Sequence, residues 1–387
     1  MGYDRIKLAH DPRRRGRGRH STHQTPIEPI SVEEFRNRMI AKCVDSTFRA
    51  LLEASGPETS IRVLRSYSMH SGMAATHNAR VRFKFDGSGI KETAIPLFWL
   101  QTMMSGGDCS LDIYEAGAVL ECRKCYMCIA PPEMCVAVSH GMADGIAQVV
   151  NPRYHFVFTH HLSNGDRACR SVLSMNKTVS ADADLGRHLE TVAPLNMTSE
   201  ELNALTTHGI SETLMSTVKA FVDVHGGEET VHLALPWAYK GGKELGEELS
   251  EVMQSTPVAS SLPALIGFVN RALGESGSIK SAERDAIGGK VEDCPFRSAP
   301  PELCAILEEF KRGFVEAYYD SFLLSFDRML SKGDEECIWS ATGATPKKEG
   351  GDQPREDPFV ILRLRLAKGE ISSKEYEELV LLLGKYH

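Results

Sequence analysis

No apolar run in the 387 residues reaches the ~18–20 residues that a membrane-spanning helix needs. An integral helical membrane protein is therefore not expected. The N-terminus is basic and glycine-rich with no apolar stretch behind it, so it does not read as a secretory signal. The bulk of the chain also lacks positive charge. Net charge is −8, yet residues 1–24 hold Arg5, Lys7, Arg13, Arg14, Arg15, Arg17 and Arg19 against Asp4 and Asp11, a net of +5. The rest carries −13. Such an acidic body argues against non-specific nucleic-acid binding by the folded part. Only the tail, residues 1–30, has the charge to touch RNA, DNA or anionic lipid, and its composition reads as disordered. With no export signal, ten cysteines point to a reducing, cytoplasmic setting, where clustered thiols mean metal or chemistry more often than disulfides.

What is present is a pattern written twice. Cys125, then Ala130-Pro131-Pro132-Glu133-Met134-Cys135, Gly145, Gly165-Asp166 and Cys169 returns as Cys294, then Ala299-Pro300-Pro301-Glu302-Leu303-Cys304, Gly313, Gly333-Asp334 and Cys337. Cys to Cys is ten residues in both, Gly to Asp twenty-one and Asp to Cys three. Chance does not place three cysteines in register, so the sequence implies an internal duplication. It extends upstream, where Gly56, Tyr67 and Gly72 align with Gly226, Trp237 and Gly242. The period, near 170 residues, is far too long for a solenoid, so each copy is expected to be a domain.

The expected organisation is α+β, with two duplicated domains at 31–178 and 197–341. Each packs helices on a small antiparallel sheet. Amphipathic spacing opens each copy with a helix closed by Gly56 or Gly226. Further helices are expected over Pro96–Met104 and Pro263–Leu273, and after the proline pairs over Pro131–Val150 and Pro300–Tyr319. Leu111–Cys122 and Ile287–Cys294 read as strands. A hairpin turns at Asn164-Gly165 and its counterpart at Lys332-Gly333. Residues 174–197 read as a link between copies. Residues 342–356 form a Gly/Pro/charge-rich linker, followed at 357–387 by a two-helix module.

Copy one carries more chemistry. Cys122-x2-Cys125-x2-Cys128-x6-Cys135, with Cys169 on the hairpin, has the close spacing that lets thiolates share a divalent metal such as zinc. The alternative is that the shared cysteines are small buried apolar residues. His140 follows Cys135 on the expected helix, with His155, His160 and His161 on the hairpin. Asp166 suits either turn chemistry or a carboxylate held beside Cys169.

At these residues each copy resembles the L-2-amino-thiazoline-4-carboxylic acid hydrolase family. Cys294-Pro295-Phe296 fits that pattern's start, from which Cys125-Tyr126-Met127 departs. Asn151-Pro152 and Phe156-Val157-Phe158-Thr159 fit in copy one only, and the Gly-Asp-x-x-Cys hairpin fits in both. The segment Asp357–Leu383 resembles the short C-terminal domain (SHOCT), through Leu362, Leu366, Gly369, Ile371 and Tyr376, which implies a homo-oligomer. The first resemblance implies hydrolysis of a small cyclic C–N substrate, 2-aminothiazoline-4-carboxylate or similar. Cys125 or Cys135 would serve as nucleophile or metal ligand, His140 as base, Asp166 as orienter, and Arg153 as the cation for a substrate carboxylate. Thiol-rich α+β domains also resemble the ligand-binding domains named after 4-vinyl reductase. That likeness implies a non-enzymatic sensor of a metal or small molecule. An oligomeric scaffold is the third expectation.

Overall fold

The computed structural model describes residues 31–346, except 85, 181–182, 193–196, 251–261, 284–285, 298, 321–322, 329–332 and 343–344. The basic tail and the C-terminal module lie outside the described residues, as does the linker beyond residue 346.

The architecture is mixed α+β, and its first helix, α1 (Val32–Phe83), starts where Ser31 accepts the Glu34 backbone N–H at 3.1 Å. At Gly56 the backbone leaves the helix (φ 73°, ψ 166°) and Pro57 restarts it, so α1 is two helical segments joined at a kink. Positive φ is cheap only for glycine. Gly226 does the same (φ 80°, ψ 165°) between α4 (Ser199–His225) and α5 (Gly227–Glu248). Thr198 and Glu201 close a reciprocal capping box at the start of α4. Both expected helix ends are therefore present.

After α1 come α2 (Ile90–Ser105), β1 (Cys109–Tyr114), β2 (Gly117–Cys122), a short 3-10 turn at Tyr126–Ile129, α3 (Pro132–Val150), β3 (His155–His160), β4 (Cys169–Ser174) and β5 (His188–Val192). After α5 come α6 (Leu262–Ala272), β6 (Ser276–Glu283), β7 (Ala286–Asp293), α7 (Pro301–Glu316), β8 (Tyr319–Asp320), β9 (Leu323–Arg328), β10 (Cys337–Thr342) and β11 (Thr345–Pro346). The first sheet runs β3-β4-β2-β1-β5 and the second β9-β10-β7-β6, all neighbours antiparallel. Without β5 the two orders coincide.

Four expectations need correction. The single strand expected over Leu111–Cys122 is a hairpin that turns at Glu115-Ala116. The stretch read as a bare link between copies contains β5, which pairs with the free edge of β1. The helix expected to reach Tyr319 stops at Glu316, and Tyr319 enters β8. The linker expected from residue 342 overlaps the end of β10 at Thr342 and contains β11, paired to β8. Short strands carry too little periodicity to be separated from loops by pattern alone.

Helix α3 lies on the second segment of α1, and α7 lies on α5, at backbone contact distance. A Cβ at Gly145 would overlap the Met69 carbonyl oxygen, and one at Gly72 would overlap that of Met142. In the second half, Gly313 meets the Tyr239 carbonyl and Gly242 that of Phe310. The halves are also interlocked. The Phe35 ring at the start of α1 lies tilted 4.7 Å from that of Phe268 of α6 and edge-on 5.2 Å from that of Phe314 of α7. Helix α4 packs on α1 and α2, where Thr207 Oγ1 donates to Asn37 Oδ1 at 3.0 Å. Each half thus lends its first helix to the other's core.

Gly145→Ala is expected to destabilise the chain by about 3 kcal/mol, since the atom it meets is backbone and cannot rotate away. Gly165→Ala, at φ +87° with open space around it, should cost about 1 kcal/mol. Urea unfolding midpoints compare the two. Equal losses would show that the helix crossing is not the tighter constraint.

Candidate functional site: a thiol-lined cavity in the first half

The sequence-predicted cysteines converge because three elements meet at one end of α3. Strand β2 ends at Cys122, and the chain turns through Cys125 into the 3-10 turn that carries Cys128. Pro131 and Pro132 then start α3, placing Cys135 in its first turns. Across the sheet, β4 begins at Cys169. Among them lies a cavity of ≈ 70 Å³. Cys122, Cys125, Cys135 and Cys169 line it, with Leu100, Met104, Met134, Met142 and Phe158 among its apolar walls. Gln101, Ser139, Lys124 and His161 supply its polar atoms.

Burial sets the electrostatics. It pushes the Cys125 thiol well above its ordinary value, and the neighbouring Cys135 and Cys169 push it further, while the Met127 backbone N–H pulls it down. Burial raises Cys135 to about 11, with the Ser163 hydroxyl acting the other way. Cys128 and Cys169 are raised for the same first reason. The Leu162 N–H donates to Cys169 Sγ at 3.3 Å and offsets part of that rise. At neutral pH these four thiols are therefore protonated. The thiolate is the nucleophilic and metal-binding form, so none stands ready as a nucleophile.

Cys122 corrects the expectation of uniformly free thiols, because it is disulfide-bonded to Cys109. The two residues are direct partners across the β1–β2 hairpin, which brings their Cα atoms to 4.2 Å. A sulfur so bonded is no thiolate ligand, and Cys122 drops out of the expected metal set. Among the described residues no group of three His, Cys, Asp or Glu side chains is arranged to hold a metal ion. Sequence pattern alone gives no sign of Cys109, because the hairpin that pairs it with Cys122 has the pattern of one strand.

His140 lies beside the site. Its ring stacks on Phe158 at 4.9 Å, and His161 stacks on Phe158 at 5.8 Å. Burial lowers His140 to about 4, with Arg65 and His161 adding to the effect. Burial lowers His161 also. Among the described residues no hydrogen bond joins the His140 ring to a thiol. Asp166 holds the hairpin turn, accepting the His161 backbone N–H at 2.8 Å. Arg153 is exposed just past the far end of α3, roughly 25 Å from Cys135 at 1.5 Å per helical residue, and does not face the cavity. His155 starts β3 at that same distant end.

The second half has the matching place, a cavity of ≈ 30 Å³ lined by Cys294, Cys304 and Cys337 among others. Lys311 crosses it to Glu275 at 2.7 and 2.9 Å and also reaches Asn270 Oδ1 at 3.3 Å. The thiol-to-backbone contact recurs there too, with Phe296 N–H donating to Cys294 Sγ at 3.4 Å as Met127 does to Cys125.

The chain matches no protein-family model, no curated protein and no solved structure.

The folded chain keeps His140 neutral, so unfolding takes up a proton once the pH falls below 6.5. Stability should fall as pH drops from 6.5 to about 4, then level off. That interval corresponds to on the order of 3 kcal/mol. Thermal melts across this range should show a shallower decline for His140→Phe than for the wild type, with His161 keeping part of the slope. Identical slopes would remove His140 from the balance.

Proposed function

We propose that the chain is a non-enzymatic binding protein whose first half takes a compact apolar ligand into the thiol-lined cavity. The observation that carries this reading is the wall itself: leucine, methionine, phenylalanine and protonated cysteine, with few polar atoms and no base hydrogen-bonded to a thiol. Methionine and cysteine are soft, polarizable surfaces that adapt to a bound apolar group. The volume suits a ligand of few heavy atoms, since an apolar cavity of about 150 Å³ accepts benzene. No helix among the described residues is long and apolar enough to cross a membrane, which is consistent with this reading.

The same reading takes the two halves as tandem copies with one working site. The coincident strand orders and the paired glycine crossings support it. Lys311 and Glu275 occupy the second half's smaller cavity, leaving the first for a ligand. A module for oligomerisation at 357–387 would suit a sensor, and that part of the proposal rests on the SHOCT resemblance alone. Ring-opening hydrolysis likewise rests on its motif resemblance. It would need an activated thiol, and burial works against one here.

Xenon, a single apolar atom small enough for a cavity of ≈ 70 Å³, should raise the unfolding temperature of the full chain under pressure. Val138→Phe, which fills the cavity wall, should abolish that shift without lowering the melt of the free chain by more than a few degrees. Two results would overturn the proposal: turnover of 2-aminothiazoline-4-carboxylate that disappears in Cys135→Ser, or stoichiometric zinc in the purified protein with no xenon shift.

A further inference from the structure

Three cysteines stand in one row across the first sheet. Cys109 of β1 is the direct partner of Cys122 of β2, and Cys122 is the direct partner of Cys169 of β4. Directly opposed residues on antiparallel strands point to the same face, with Cα atoms ~4.5–5.5 Å apart. Disulfides usually join Cα atoms ~4.4–6.8 Å apart. Cys122 thus has a bonding partner on either side, and the structure holds it to Cys109. Cys169 is a free thiol that lines the cavity together with Cys122.

The row is not a demand of the fold. In the second sheet the same three register positions are Gly277, Val291 and Cys337. That sheet forms with one sulfur in the row. Copy one carries three, which calls for a role specific to copy one.

We propose that Cys122 is the exchange sulfur of a thiol–disulfide centre that moves a disulfide from Cys109 at the back of the row to Cys169 at the cavity wall. The step balances without an added oxidant. Cys169, as thiolate, attacks Cys122 Sγ. The Cys109–Cys122 bond breaks as the Cys122–Cys169 bond forms, the electron pair leaves on Cys109 Sγ, and the proton given up by Cys169 ends on Cys109. One disulfide and one thiol stand on each side of the exchange. The Leu162 N–H on Cys169 Sγ favours the attacking anion. Ser105 Oγ lies 3.2 Å from Cys109 Sγ, beside the departing sulfur. The exchange removes one free thiol from the cavity wall and ties β2 to β4 there. This centre stands on the register alone and does not depend on what fills the cavity.

The test uses the full chain equilibrated in glutathione buffers from reducing to oxidising. Free thiols are then blocked with N-ethylmaleimide, and the linked peptides are mapped after cleavage at glutamate, lysine and arginine. Glu115 and Glu121 separate Cys109 from Cys122, Lys124 separates Cys122 from Cys125, and Arg153 and Arg167 separate Cys135 from Cys169. In the wild type, both Cys109–Cys122 and Cys122–Cys169 linkages are expected. Cys109→Ser should raise the share of Cys122–Cys169 at least tenfold, and Cys169→Ser should leave Cys109–Cys122 as the sole linkage of the row. The proposal is overturned if folded Cys109→Ser keeps Cys122 as a blocked free thiol at every poise, or links Cys169 to Cys125, Cys128 or Cys135 instead. Should Cys109→Ser fail to fold, the wild-type series decides, and Cys109–Cys122 as its only linkage at every poise overturns the proposal.

Discussion

Everything at the cavity depends on two helices whose backbones touch. Gly145 of α3 sits against the Met69 carbonyl and Gly72 of α1 against that of Met142. With no Cβ on either side, the axes close to a distance that side chains would forbid. That contact fixes where α3 begins, hence where Cys135 stands, and it brings the start of α3 under the sheet end that carries Cys122 and Cys169. The second half repeats the device with Gly242 and Gly313. Exchange of the first helices then ties the halves together. Phe35 fills the second core while α4 covers α2 of the first, so neither half buries its apolar surface unaided. Packing of this density transmits a local change rather than absorbing it.

The electrostatics of the cavity follow from that closeness. Four thiols brought together away from water cannot readily ionise, because each thiolate would be desolvated and would repel the next. Two backbone N–H groups, from Met127 and Leu162, aim at Cys125 and Cys169 and offset part of that cost. These two sulfurs are thus the ones whose anions the backbone best accommodates. Reactivity at this site is restrained by burial and directed by two amides.

The sequence carried much of this because duplication offers two readings of one fold. The proline pairs at the entries of α3 and α7, the breaks at Gly56 and Gly226, and the Gly-Asp hairpins are local chemistry, legible wherever they stand. The glycines at the helix crossings were legible only as aligned letters, since their role is a contact between residues about 75 apart. The Cys109–Cys122 bond was hidden for a related reason. Its thirteen-residue spacing means nothing until Glu115-Ala116 is known to be a turn. Arg153 shows the opposite limit. It is near the motif in sequence, yet a helix of nineteen residues carries it to the other end of the fold.

The contrast between the halves gives the shared cysteines their meaning. Lys311 and Met142 line corresponding cavities, and the lysine comes with Glu275 and Asn270 to satisfy it. A buried charge is tolerable only when paired, so the second cavity is locked by its own ion pair, and removing either member would leave the other stranded. Methionine imposes no such demand. Cys125, Cys135 and Cys169 therefore match the framework residues Cys294, Cys304 and Cys337. What is peculiar to the first half is the larger empty space beside them and the two further sulfurs, Cys109 and Cys122, that the second half replaces with Gly277 and Val291. The shared fold sets the positions, and those unshared residues supply what is chemically distinctive about the first site.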